Sequence, residues 1–580
     1  MKPLFIGFSE DGERIELTDE DLQTHVHGIG ATRTGKSKMI EWLARELVRR
    51  KQGFCLIDPH GTLYDDLLRW LTYLQPNREI LLFNPSFDQR IVGFNPFHSQ
   101  YGDVSTQADR RVKATIKAWG ATSTDETPRL ERWLRSFYHV LIERGYSLEV
   151  ARYFFSFKEK QIRDYLTQSI ESDLIRNEFD ELSQHTRFRD FSEQIESAKN
   201  RLFRFLAPRQ VRRIMGLDFN NLDLRSIIEE GKILLVNLQR SDILTLENSR
   251  LIGTLLLNEF WEVASRRKQT ASGRKPSDFF LIIDEFQMFL TPDIPEMLDQ
   301  AAKYGLHLML FHQRLSQLKQ LDEQAFGAVN NARVKLVYGG LSDEDAQLIV
   351  REIFPGQIDL KRIKFLIEQT KFWPRVDRAL VYTKGSGGGS AKGHASGTGS
   401  GSSTGSSAGI SVGPSWPIND PTTHYDGTSY GDFSSSSVSD SESTYDSWSE
   451  GEADVPFIYP EAFKEISSIT SYTLEEMIWQ LASRLREQYQ RHFMIRRPGK
   501  PTVAGVTPFV KTFYATPERI QAFTEKCLHG FLTASEVDHE IENIHRQLFL
   551  KAAPEKPELK LEDFKPDDIW EAPLDTEAQK

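Results

Sequence analysis

Eight residues near the start, Gly30-Ala31-Thr32-Arg33-Thr34-Gly35-Lys36-Ser37, fit the pattern G-x-x-x-x-G-K-[ST]. A short apolar run, Val26 to Ile29, precedes them, and an amphipathic stretch from Lys36 to Arg50 follows. Strand, glycine turn and helix in that order are what a phosphate-binding P-loop requires. A glycine turn capped by a serine is the plainer alternative, but it does not account for the strand and helix on either side. The motif narrows the fold sharply. The turn must sit at the end of a strand so that its backbone N–H groups and the helix N-terminus converge on one anion. In this reading residues 30–37 cradle ATP, Lys36 reaches the β- and γ-phosphates, and the Ser37 hydroxyl ligates Mg²⁺.

The pattern around the motif agrees. Apolar runs at 25–30, 54–58, 80–83, 232–237, 279–284, 308–312, 334–338 and 379–382 alternate with helical stretches, which predicts a mainly parallel α/β sheet flanked by helices. Pro3–Phe8 and Arg14–Leu17, separated by Asp11-Gly12, predict a hairpin. Between residues 107 and 224 the spacing is helical only. Thr127-Pro128 opens a helix and Gly145 ends it, with Leu130, Trp133, Leu134, Phe137 and Leu141 on one face. The chain thus divides into the hairpin and first part of the core (1–106), an all-helical insertion domain (107–224) and the second part of the core (225–384).

From Gly385 to Glu452, 20 Ser and 14 Gly make up half of 68 residues, and no Lys or Arg falls between Lys392 and Lys464. Such a segment buries too little apolar surface to offset the entropy of ordering, so a disordered acidic linker is expected over 385–452. Residues 453–551 read as a helix at 473–490 and strands at 492–495 and 507–513, packing on the core. Residues 552–580 read as a loose tail. With 580 residues, 39% hydrophobic and 27% charged, the chain is globular, and its net charge of −11 argues against a uniformly basic nucleic-acid binder. Two cysteines, Cys55 and Cys527, exclude a disulfide framework and suit a reducing cytoplasm. No apolar run reaches the ~18 residues of a membrane helix, so no membrane insertion is expected.

Phosphoryl chemistry needs an acid at the tip of a neighbouring strand. Phe279 to Ile283 is apolar and ends in Asp284-Glu285. Asp284 is placed to hold Mg²⁺, and Glu285 to orient and deprotonate the attacking water. A further buried run, Leu308 to Phe311, ends in His312-Gln313-Arg314. Gln313 is a candidate γ-phosphate sensor. Arg314 is a candidate stabiliser of transition-state charge, in this site or a neighbouring subunit's, unless it is an ordinary surface arginine.

Together these residues resemble the HerA–FtsK superfamily of P-loop (RecA-like) ATPases, in particular HerA-like DNA translocases and the TraG/TraD-type conjugative coupling ATPases. Asp58-Pro59-His60-Gly61, Asn95-Pro96-Phe97, the strand ending in Asn237, Asp284-Glu285-Phe286-Gln287, Ala302-Lys303-Tyr304-Gly305-Leu306, His312-Gln313-Arg314 and Asn331-Ala332-Arg333 carry the likeness. It covers most of residues 20–384 and, more weakly, 470–515. The resemblance implies a homo-oligomer, usually a hexameric ring, that hydrolyses ATP at subunit interfaces and moves double-stranded DNA. Lys36 and Ser37 take the Walker A positions, Asp284 and Glu285 the Walker B positions, and Gln313 and Arg314 the sensor and trans-arginine positions. Asp58 matches an acidic position that orders water or Mg²⁺, or else is a buried structural carboxylate. The sequence also departs from the pattern. Arg33 stands where glycine is usual, Thr24 replaces a basic residue before the first strand, and neither an N-terminal barrel nor membrane helices precede the core.

For contact with DNA the candidates are Arg201, Arg204, Arg209, Arg212 and Arg213, within a stretch free of acids, with Arg491 to Lys500 as a second cluster. A solvated basic face or a subunit contact is the competing reading. Three functions follow. The leading expectation is an ATP-dependent DNA translocase or helicase acting with a partner such as a nuclease, in defence or DNA transfer. The alternatives are a soluble coupling ATPase of a conjugative or type IV secretion system, and a nucleotide-switched scaffold.

Overall fold

The apolar runs do pair with one another in the computed structural model, which describes residues 3–98, 102–120, 127–267, 276–359, 361–385, 396–409, 425–438 and 449–553. One compact unit comprises residues 1–361 and 472–580, and a second comprises 362–471.

In the first unit eleven strands form one sheet, in the order 14–17, 4–9, 503–506, 492–496, 334–338, 26–29, 306–312, 279–283, 53–58, 233–237 and 80–83. The seven from Val334–Tyr338 to Ile80–Phe83 are parallel. The other four are antiparallel, so the sheet is mixed at one side. Every residue of the seven parallel strands is buried. Helices cover both faces, and for that reason these strands read in the sequence as unbroken apolar runs rather than as alternation. The strand Val26–Ile29 lies between Val334–Tyr338 and Leu306–His312, which puts the glycine turn and the ends of the acid and glutamine strands at one carboxyl edge of the sheet.

Among the described residues from 104 to 229 only helices occur, as expected, from Val104–Ala118 to Leu224–Glu229. Their buried side chains belong to the same hydrophobic cluster as the sheet, so this block is a helical layer of one core rather than a separate body. The helix Leu246–Ser265 is buried on almost every side, its polar residues Asn258, Glu259 and Glu262 included. Gly145, at φ +72°, closes the helix Pro128–Arg144, but the Thr127 side chain makes no capping hydrogen bond. Arg111 explains the Asn95-Pro96-Phe97 stretch. Fully buried, it donates to the Pro96 carbonyl at 2.6 Å and to Glu259 at 3.1 Å, tying this loop to two helices.

Two expectations for the C-terminal part shift. The strand expected at 507–513 is instead Val503–Val506, and Pro508, which has no N–H to donate, follows it closely. The run at 379–382 lies outside the large sheet, in the second unit. There Ile363–Gly385 pairs antiparallel with Ser449–Ser471, with cross-strand ion pairs Arg375–Glu461 at 2.9 Å and Lys464–Glu368 at 3.0 Å. Where a disordered linker is expected over 385–452, Ser396–Gly409 and Tyr425–Val438 form a second two-stranded ribbon. Backbone pairing of that kind leaves no apolar signature in a Ser/Gly sequence. The rest of the insert, and nearly all of the tail at 552–580, lie outside the described residues.

Candidate functional site

The glycine turn takes the shape its sequence implies. Gly35 has φ +112°, and a Cβ there would lie 3.0 Å from the Arg491 Cα, so glycine is required for both conformation and space. Arg33, where glycine is usual, adopts φ +66° with its side chain exposed, a left-handed conformation that costs an L-residue roughly 1 kcal/mol. The Thr34 hydroxyl donates to the Ala31 carbonyl at 2.7 Å, and the Ala31 N–H donates to the Gly339 carbonyl at 3.3 Å. No side chain caps the helix Lys36–Arg49, so its first N–H groups are free to serve an anion.

Lys36 bends back to the acids. Its Nζ lies 2.5 Å from Glu285 Oε1 and 3.2 Å from Asp284 Oδ1, and all three residues are buried. Burial pushes the Asp284 carboxyl up to about 6; Lys36 opposes this, while Glu285 and Asp58 add to it. Glu285 goes the other way. Burial raises it, but the Lys36 charge and hydrogen bonds from Lys36, Gln287 and Gln313 together hold it below the usual range. The environment thus drives the two adjacent carboxyls apart, with Asp284 titrating above its ordinary range and Glu285 below. Glu285 also sits at φ +48°, ψ 48°, a conformation that turns the two adjacent carboxylates onto the same lysine.

Gln313 joins the two motifs. Its Nε2 donates to Glu285 Oε1 at 2.9 Å, and its Oε1 accepts from the Thr32 hydroxyl at 3.2 Å. Arg314 stands apart, exposed and without an ion pair among the described residues. The structure therefore brings Thr32, Lys36, Asp284, Glu285 and Gln313 together and leaves Arg314 at the rim. Ser37 is exposed at the first turn of the helix. Asp58 is fully buried and accepts from the His60 and Tyr64 N–H groups at 2.8 and 2.9 Å.

Four contributing residues carry no sequence signal strong enough to assign a role. Gln287 donates to Glu285 Oε2 at 2.7 Å because the short 3₁₀ turn Phe286–Phe289 folds it back. Arg491 buttresses the turn from a C-terminal segment some 450 residues away in sequence. His27 and His312 stack under the site with Nε2 atoms 2.7 Å apart.

Much of the basic clusters is engaged by neighbours in the same chain, although Arg204 and Arg209 stay exposed. Arg209 and Arg213 both bind Asp538, at 2.6 Å each. Arg204 pairs with Glu247 at 3.3 Å, Arg201 lies 5.8 Å over the Trp119 ring, and Arg212 is half-buried. In the second cluster Arg491 donates to the Thr507 carbonyl and Arg497 to the Glu16 carbonyl, while Lys500 lies 3.7 Å from Asp21. These are contacts within the subunit.

A glycine-rich turn between strand and helix, with paired acids on a parallel strand one removed and a glutamine on the strand between them, defines a P-loop nucleoside-triphosphatase fold. One family comparison falls on the second half of the site. Residues 278–353, which contain Asp284, Glu285 and Gln313, match the protein-family model described as the TraM recognition site of TraD and TraG, and the expected TraG/TraD-type likeness is borne out over that segment. Among solved structures, the unbound bacterial conjugative coupling protein TrwBdeltaN70 superposes with a TM-score of 0.48 at 13% identity, over 89% of this chain and 91% of that one. Plasmid coupling protein TrwB in complex with ADP and Mg²⁺ gives 0.48 at 13%, over 89% and 92%. VirB4 of Thermoanaerobacter pseudethanolicus gives 0.35 at 14%, over 60% and 88%. No curated protein matches the chain. Among the described residues no helix is long and apolar enough to cross a membrane.

Proposed function

We propose that this chain is a Mg²⁺-dependent ATPase of the coupling type, working as a homohexameric ring that feeds a nucleoprotein or protein substrate towards a secretion channel. The observation that carries the reading is the Lys36–Glu285–Gln313 constellation, in which Glu285 and Gln313 belong to a segment that matches a TraD and TraG recognition region. This favours the coupling ATPase over a translocase acting with a nuclease. A pure nucleotide switch is disfavoured as well, because it has no use for an ionised carboxylate held by two glutamine amides.

The donor set suits the metal. Asp284 and Ser37 offer hard oxygens beside the phosphate loop, and Mg²⁺ prefers a carboxylate plus phosphate oxygens. Bound there, Mg²⁺ supplies neutralising charge to the phosphates. The chain's own residues do the rest. Lys36 exchanges its carboxylate partners for phosphate oxygens, which releases Glu285. Gln287 and Gln313 keep Glu285 oriented, so that once Lys36 has left it the carboxylate can take a proton from water. Arg314, exposed at the rim, is free to reach a neighbouring subunit's site.

Hydrolysis of MgATP by the full chain, compared with Glu285→Gln, tests the reading. Wild-type turnover, with the variant binding ATP but not cleaving it, supports it. Wild-type turnover no faster than that of Glu285→Gln defeats it. Capture of an inner-membrane channel component in a pull-down separates the coupling role from that of a free-standing DNA motor, whose turnover would instead depend on duplex DNA alone.

A further inference from the structure

The phosphate loop has a second wall that the motif does not announce. The Arg491 N–H donates to the Thr34 carbonyl at 2.7 Å, and its Cα lies against Gly35. Arg491 is itself fixed. It sits at φ +71°, its carbonyl accepts from the Thr507 N–H at 2.9 Å, and its Nη2 and Nε donate to the Thr507 carbonyl at 2.6 and 3.2 Å. Thr507 is fully buried, with its hydroxyl 3.0 Å from that of Tyr338. Two residues from each end of this clamp stands a large ring open to solvent. Tyr489 and Phe509 are each 75% exposed, and the Phe509 ring centre lies 5.8 Å from the Arg491 guanidinium.

Two exposed aromatic rings, flanking in sequence an arginine that is fixed against an anion-binding turn, match what a nucleoside needs once its phosphates are held. The base must lie outside the loop, its π-face is apolar, and stacking on an aromatic ring with a cation nearby suits it. We propose that Phe509, with Tyr489 across Arg491 from it, is the stacking platform for the nucleobase, an assignment that rests on the nucleotide reading above. Phe509 supplies the principal face because it alone of the two lies over the guanidinium. A π-face reads no hydrogen-bonding edge, so the platform holds bases by surface rather than by identity.

The test compares MgATP with magnesium tripolyphosphate, which has the phosphates and no base, in calorimetric titrations of the full chain. In Phe509→Ala, ATP affinity should fall about tenfold while tripolyphosphate affinity stays within about twofold. Phe509→Trp should keep ATP affinity and gain fluorescence quenching by ATP, but not by tripolyphosphate, relative to the wild type. Both rings are exposed, so neither change removes a core contact. Unchanged ATP affinity in Phe509→Ala, or equal losses for the two ligands, overturns the platform alone. Failure of the wild type to bind either ligand overturns the nucleotide reading, and the platform with it.

Discussion

His27 and His312, 285 residues apart in sequence, stack with their planes within 9° and their Nε2 atoms 2.7 Å apart beneath the phosphate loop. Both are fully buried, and burial pulls the His312 imidazole down to about 4 and that of His27 well below its ordinary value, so both rings are neutral at physiological pH. The tautomers follow from the partners. His312 Nδ1 faces the Arg314 carbonyl at 3.1 Å and must carry its proton, which leaves Nε2 to accept from His27 Nε2–H. The ring therefore clamps residues 312 and 314 and presents the intervening Gln313 to Glu285 and Thr32.

His27→Leu removes this clamp without touching the nucleotide residues. It leaves a buried acceptor without a donor, so stability should fall by ~1–3 kcal/mol. If Gln313 drifts, kcat for ATP should fall about tenfold with KM unchanged, and His27→Gln, which restores an N–H donor, should recover much of the loss. The decisive comparison is made in a Gln313→Ala background, where His27→Leu should have no further effect on kcat. A full additional tenfold loss there would mean that the histidines act elsewhere.

Lys36 shields two buried carboxylates as well as serving phosphate. Lys36→Ala should therefore weaken the nucleotide-free protein, not only abolish turnover. Stripping one partner from a buried ion pair costs ~3–5 kcal/mol. Urea unfolding without nucleotide measures this directly. Glu285→Gln, which leaves Lys36 paired with Asp284 and the glutamines paired with an amide, should lose clearly less. Equal midpoints for wild type and Lys36→Ala would show that the pairing seen here contributes nothing in solution.

Asp284 predicts a pH dependence of the opposite sign to that of most carboxylates. Its folded pKa, about 6, lies above the unfolded value of 3.8, so the native state binds the extra proton and stability falls as pH rises from about 4 through 6. The shift corresponds to about 3 kcal/mol of destabilisation above pH 6. Asp284→Asn should thus unfold at higher temperature than wild type at pH 7.5, with the gap closing as pH is lowered towards 4, while Mg²⁺-dependent hydrolysis is lost. Thermal melts across that range decide the matter, and a gap that widens on acidification would contradict the assigned shift.

Much of this site is legible in the sequence because it is local. The strand–turn–helix around Gly30–Ser37 and the strand ending in Asp284-Glu285 each carry their signal within a dozen residues, and Ile80–Phe83 and Val334–Tyr338 fall where their apolar runs place them. What is not legible is set by tertiary contact. Nothing near Arg491 announces that it will meet Thr34, and no periodicity reveals that His27 will face His312. The same limit explains the basic residues. A run of Arg and Lys reads as a nucleic-acid surface only while the acid that meets it, here Asp538, lies hundreds of residues away.

That acid supplies the final prediction. Asp538 accepts from Arg213 through both carboxylate oxygens, at 2.8 and 2.6 Å, and from Arg209 at 2.6 Å, and these contacts draw its carboxyl down to about 2. The site is largely exposed, so the net contribution is roughly 1 kcal/mol or less and is screened by salt. It is present above pH 4 and is lost as pH falls towards 2. The pairing pins the C-terminal helix Ala534–Ala552 to Arg209–Met215. Asp538→Asn, or Arg209→Ala with Arg213→Ala, should therefore speed hydrogen exchange in both helices, and raised salt should do the same to the wild type. If the arginine variants instead leave exchange unchanged and weaken DNA binding with a shallower salt slope, these cations belong to a nucleic-acid surface after all.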